Sequence, residues 1–146
     1  MSRRLQLKDS IRSDRSAQAV MRVVRDPATW PTWQSEIIST QGPAPLDIGD
    51  EVLGKAKMLG FEVQGRSEAT SVDDQHFVED VVVGVRLIVT YSVAEHAGGC
   101  TITRTVETEL PGGPLGRLLS LPLRRRLKKM QVQVLHALAD QASEGS

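Results

Sequence analysis

Six short stretches of alternating apolar and polar residues follow one another between residues 35 and 109. A single apolar stripe at helical spacing comes after them. That succession limits the fold more than any other feature of the chain. The stretches run over 35–41, 51–58, 61–72, 75–83, 85–94 and 100–109. Gly42-Pro43, Gly49-Asp50, Leu59-Gly60, Asp73-Asp74, Gly84 and Gly98-Gly99 punctuate them. Alternation is the period of a half-buried strand, and connections this brief join antiparallel neighbours. A further strand is expected ahead of them, over Leu5–Ile11, with Leu5 and Leu7 on its apolar side.

Between that first strand and the others the period changes. Ser13-Asp14 offers a helix cap, and Ala17, Val20, Met21 and Val24 recur at helical spacing. Asp26-Pro27 starts a second short helix, with proline at the first helical position, where its missing N–H costs nothing. This helix carries Trp30 and should stop near Trp33. After Pro111-Gly112-Gly113-Pro114, the stripe Leu119, Leu123, Leu127, Met130, Val134 and Leu138 predicts a long helix. Pro122 is expected to break it into a short piece and a long one. The expected architecture is α+β: a curved antiparallel seven-stranded sheet, two short helices after the first strand, and a long C-terminal helix. It reads as a single domain over 1–146, with a core over about 4–142. One helix cannot fill such a sheet. Either the sheet closes on itself or a cavity remains between helix and sheet.

Composition narrows the function. The single cysteine, Cys100, can form neither an internal disulfide nor a multi-cysteine zinc site, and it reads as a small packing residue. His76, His96 and His136 fall on different elements without metal-ligand spacing, so no metal and no cofactor are expected. The basic start has no apolar run behind it, and Val81-Val82-Val83 is too short to span a bilayer. The expected compartment is cytoplasmic. Net charge is zero, with 18 basic and 18 acidic residues, but the signs are segregated. Residues 1–40 carry +3, residues 41–110 carry −7 and residues 111–146 carry +4. No acid lies between Glu109 and Asp140, and Arg124, Arg125, Arg126, Lys128 and Lys129 cluster on the long helix. Such a face is either simply solvated or able to meet an anionic membrane surface or an acidic partner. Nucleic acid is not expected as a partner, because no stacking aromatics or groove-reading motif accompany these charges.

Several features together resemble the SRPBCC superfamily, which includes START domains, Bet v 1-like proteins and polyketide cyclase/dehydrase-like proteins. They are the element order, Asp26-Pro27-Ala28-Thr29-Trp30-Pro31-Thr32-Trp33, Gly49-Asp50, Gly98-Gly99-Cys100-Thr101, and Pro111-Gly112-Gly113-Pro114-Leu115-Gly116 before a basic helix. The resemblance covers nearly the whole chain. It implies a helix-grip fold with a hydrophobic ligand cavity between sheet and helix, and it puts Trp30 and Trp33 near one end of that cavity. It implies no single chemistry. Binding or transport of a small hydrophobic molecule, lipid or polyketide-like, is the first expectation. A polyketide cyclase or dehydratase-like enzyme is the alternative. A peripheral lipid-transfer protein using the basic helix is a further one.

Strand alternation names the candidate ligand-binding residues. Phe61, Val63 and Ser67 share one face of their strand, as do Leu87, Val89 and Tyr91 of theirs. Ile102 and Arg104 share a face of the last strand, and Leu119, Leu123, Leu127 and Met130 lie on the helical stripe. Arg104 is the anomaly, a charge on an apolar face. Directed inward it needs a carboxylate, a polar ligand or water; a bulge could instead turn it outward. Strand 75–83 offers an acid either way, Asp80 beside His76, Val78 and Val82, or Glu79 beside Phe77, Val81 and Val83. Arg104 is expected to pair with one of them. A buried Tyr91 hydroxyl could orient a ligand carbonyl.

Overall fold

In a computed structural model, residues 3–58, 60–110 and 113–144 are described; within them the side chains at 3, 58, 110, 113, 115–121 and 143–144 lie outside the description. Strand β1 (Arg3–Ser13) is followed by α1 (Ala17–Val24), a 3₁₀ turn (Pro27–Thr29) and α2 (Trp30–Trp33). Six strands come next: β2 (Ile37–Gln41), β3 (Glu51–Met58), β4 (Phe61–Val72), β5 (His76–Val83), β6 (Val85–His96) and β7 (Gly99–Leu110). Helix α3 (Gly113–Glu144) ends the chain. The strands form one antiparallel sheet in the order β1-β7-β6-β5-β4-β3-β2, a meander closed at one end by β1 pairing with β7. Each expected strand is present.

Two local expectations are corrected. Ser16, not Ser13-Asp14, caps α1: its hydroxyl accepts the Ala19 N–H at 3.1 Å, while Ser13 ends β1. Asp26 does cap the 3₁₀ turn, accepting from the Ala28 N–H. Helix α3 also runs unbroken through Pro122. Proline removes one N–H from the ladder, and at this exposed position water can serve the carbonyl left behind.

Register carries the inward faces across the sheet. Opposed residues of antiparallel strands share a face. One inward row is Phe77, Tyr91, Arg104 and Asp9, and the next is Ala69, Glu79, Val89, Val106 and Leu7. The face of β5 left open by the sequence is therefore settled: Phe77, Glu79 and Val83 are buried inside, and Asp80 is not. The main core joins α1, α2 and the inner faces of β3 to β7 to Val134, Leu135 and Leu138 of α3. A second cluster, Leu5, Leu7 and Leu127 with Leu123 and Met130 against it, fixes α3 to β1. Burying each such leucine contributes about 2 kcal/mol. Gly54 of β3 permits a close approach, because a Cβ there would collide with the Ser39 carbonyl oxygen of β2.

Candidate functional site

Between the inner face of the sheet, α2 and α3 lies a cavity of about 110 Å³. Its floor is apolar: Val52, Val81, Val83, Leu87 and Val89 from the strands, with Met130 and Val134 from α3 as the roof. Gly54, Ala56 and Gly65 line it on the β3–β4 side. Ser39, Lys55 and Arg66 also line it and are exposed, so the cavity opens to solvent there. The mouth cations are matched by acids, with Lys55 3.8 Å from Glu62, Arg66 3.9 Å from Glu51, and Glu36 3.6 Å from Arg126.

Arg104 enters this space from β7 and is only 5% exposed. Its Nε donates to the Tyr91 hydroxyl at 3.0 Å, and its Nη1 donates to Gln131 Oε1 at 3.0 Å. The guanidinium carbon lies 5.4 Å from the Tyr91 ring centre, within cation–π range. Gln131 Nε2 passes the chain to Asp9 at 3.1 Å, and Lys128 meets Asp9 at the surface at 3.6 Å. The inward orientation of Arg104 is thus explained by a neutral phenol and amide, not by an acid pair. Its Nη2 has no partner among the described residues.

Glu79 shares the cavity and is also 5% exposed. Its Oε2 is buried without a hydrogen-bond partner. Burial pushes its carboxyl up to about 7, against the opposing pull of Arg104. Tyr91 is pushed up to about 12, again chiefly by burial, and so keeps its proton. Gln34, at the end of α2, lines the cavity with a buried Nε2 that also lacks a partner. An apolar cavity therefore holds three polar groups with unused capacity: one cationic donor, one amide donor and one titrating acid.

The sequence-derived candidates divide accordingly. Trp30, Ser67, Leu87, Val89, Arg104 and Met130 line the cavity. Tyr91 is behind it, holding Arg104, and Trp33 packs edge-on against Tyr91 with ring centres 5.9 Å apart. The indoles are tied locally, Trp30 to the Val24 carbonyl and Trp33 to the Thr29 hydroxyl. Val63 and Ile102 are packed into the core, and Leu123 and Leu127 face β1 instead of the cavity. The side chain of Leu119 lies outside the described residues. Two candidates are corrected outright. Phe61 is on the inward face but at the strand's first position and is 73% exposed. Asp80 is on the outer face, in a bidentate pair with Arg86 at 2.7 and 3.1 Å that holds its carboxyl below the usual range. Glu79, Gln34 and Gln131 complete the site; only Glu79 was within the alternatives the sequence offered. Gln131 had a signal, since it falls four residues after Leu127 and three before Val134, inside the apolar stripe.

On the far side of α3, Arg124, Arg125 and Lys129 are exposed with no acid paired to them among the described residues, whereas Arg126 and Lys128 are paired. Among the described residues no helix is long and apolar enough to cross a membrane, and no cluster of three metal-ligating side chains exists.

Residues 4–143 match the family model described as polyketide cyclase / dehydrase and lipid transport. The chain belongs to this family. No curated protein matches it significantly. Solved structures resemble it in fold at low identity. The di-domain ARO/CYC StfQ from the steffimycin biosynthetic pathway aligns with a TM-score of 0.78 and 11% identity, over 97% of this chain and 51% of that one. The chain thus spans about half the length of that di-domain protein. The Zhui aromatase/cyclase from Streptomyces sp. R1128 aligns at 0.76 and 11% identity, over 97% of this chain and 94% of that one. Ara h 8.0201 aligns at 0.75 and 12% identity, over 97% and 99%. These likenesses show that the family member shares the helix-grip fold of these proteins, a curved antiparallel sheet against a C-terminal helix.

Proposed function

We propose that this chain binds a small, largely apolar molecule in the cavity between sheet and α3, held through an oxygen by Arg104. The observation that carries this is a buried guanidinium in the lining of a largely apolar cavity, with Nε and Nη1 engaged by the protein and Nη2 not. Gln34 Nε2 in the same lining is a buried donor without a partner, which is costly, and a ligand acceptor relieves that cost. Size bears on the ligand. About 110 Å³ is less than the roughly 150 Å³ that admits a benzene ring, so the cavity suits a short aliphatic chain.

Filling the space tests the reading. Ala56→Phe places a ring in the cavity at a modest overpacking cost of about 1–3 kcal/mol. Native mass spectrometry of gently purified protein should show a bound small molecule on the wild type and none on the variant. An adduct that persists on Ala56→Phe, or the absence of any adduct on either, would count against the cavity as a binding site.

A second reading is cyclase- or dehydratase-like catalysis. What favours it is Glu79, an acid that titrates near neutrality in the same cavity as a cation. A carrier releases its molecule unchanged, whereas a dehydratase returns one lighter by a water. The basic face of α3 supports a third role, docking on anionic lipid during ligand transfer. Co-sedimentation with vesicles should then need anionic lipid and be lost in an Arg124→Glu, Arg125→Glu, Lys129→Glu variant. Equal behaviour with neutral vesicles would remove that role.

A further inference from the structure

We propose that the cavity selects hydrophobic monocarboxylates, the ligand's carboxylate taking the free Nη2 of Arg104 while Glu79 accepts one proton from solvent. This rests on the reading that the cavity holds a small apolar molecule, and it adds the charge class of that molecule and a proton stoichiometry.

One buried charge of each sign lines the cavity. β7 brings one cation, Arg104, and Glu79 of β5 is the acid that is buried with it. The two form no ion pair, and Glu79 Oε2 has no partner. In a poorly polarisable interior they still balance one another at a distance. An anion arriving at Arg104 would put two carboxylates beside one guanidinium, and one of them must then hold a proton. Glu79 is the one that does so. Its burial already pushes it up to about 7, while the ligand's carboxylate has the Arg104 guanidinium and the unpartnered Gln34 Nε2 in the same cavity lining as donors. The step balances simply: an anion and one proton enter, Glu79 becomes a neutral acid, and no other bond changes.

The remaining groups around Glu79 do not take that proton. Tyr91 of β6 is already protonated up to about 12. At the mouth, Lys55 of β3, Arg66 of β4 and Glu36 ahead of β2 are each in ion pairs. Asp9 of β1 is reached only through Gln131 and is matched by Lys128. The faces of α2 and α3 towards the cavity bring Trp30, Gln34, Met130 and Val134, none of which titrates.

Hexanoate, hexanamide and hexanol share one chain and differ in the head group. Each is titrated into the whole protein by calorimetry, in paired buffers of different protonation heat. Hexanoate is expected to bind at least tenfold more tightly than the two uncharged analogues near pH 7. It should take up well over half a proton at about pH 8 and close to none at about pH 5.5, its affinity weakening by up to about tenfold per pH unit above about 7. Glu79→Gln should bind hexanoate with no proton uptake and an affinity flat over the same range. The wild-type heats decide the matter even if that variant does not fold. Hexanoate that binds without proton uptake, or no better than hexanol, overturns the proposal while leaving the cavity a binding site. Absence of hexanoate binding overturns it whatever the cavity holds, because the cavity itself is judged by the adduct and by Ala56→Phe.

Discussion

Arg104→Leu is expected to lower the unfolding free energy by about 3 kcal/mol. The substitution replaces one cation on an apolar face with a residue that suits that face, so hydrophobicity alone argues for a gain. Removing a whole buried ion pair in favour of apolar side chains is indeed often neutral or stabilising. Here, however, only one member of a network goes. Tyr91 loses the donor to its hydroxyl and Gln131 loses the donor to its Oε1, and both side chains are buried. Each orphaned group costs about 1–3 kcal/mol. The cation–π contact with Tyr91 is lost as well. The cost should grow with pH, because Glu79 then ionises without its one compensating charge. Urea denaturation at about pH 5 and about pH 9 measures both parts. A change below about 1 kcal/mol at both values, or a rise in midpoint, would mean that the network does not hold the site together. Tyr91→Phe in a double-mutant cycle with Arg104→Leu should give a coupling of about 1 kcal/mol or more, since the two touch directly.

The strands were legible in the sequence because every one of them carries its own alternation and its own turn. Alternation put Arg104 on the inward face between Ile102 and Val106 but left open a bulge that would turn it outward; the unbroken register of β7 with β1 and β6 excludes the bulge. The position of its acid was not legible. β5 carries valines on both faces, so Glu79 and Asp80 read alike until register with β6 put Glu79 opposite Val89. Phe61 shows a different limit: alternation gives a face but not whether anything covers that face at the strand's end. The partners Arg104 found, Tyr91 and Gln131, come from other elements, and glutamine on a helix usually reads as surface. Pro122 misleads because propensity is a local rule, while α3 is anchored along much of its length by Leu127, Val134, Leu135 and Leu138.

Glu79→Gln should stabilise the protein at alkaline pH and leave it unchanged in acid. Glutamine copies the shape of the neutral acid but cannot ionise. Glu79 rises from 4.5 to about 7 on folding, chiefly because burial disfavours its charged form, with Arg104 pulling the other way. A raised acid keeps its proton more firmly in the native state than in the unfolded one. Its contribution is therefore fully present below about pH 4.5, and it is lost as pH rises through about 7. The loss at about pH 8.5 is on the order of 3 kcal/mol, because each tenfold difference in proton affinity between the folded and unfolded chain is worth about 1.4 kcal/mol. Relative to the wild type, Glu79→Gln regains that amount, worth roughly 10 °C in Tm for a chain of this size. Thermal melts of both proteins across the range check it. Curves that run parallel from acid to alkali would show that Glu79 ionises as freely inside the protein as outside. The acid would then be no reserve of proton affinity for a ligand to draw on, and the buried Oε2 would need another explanation. Divergence that begins near pH 5 and is complete by about pH 8 would instead show that the site keeps Glu79 partly protonated at neutral pH. That is the condition under which Arg104 has a cationic donor to spare.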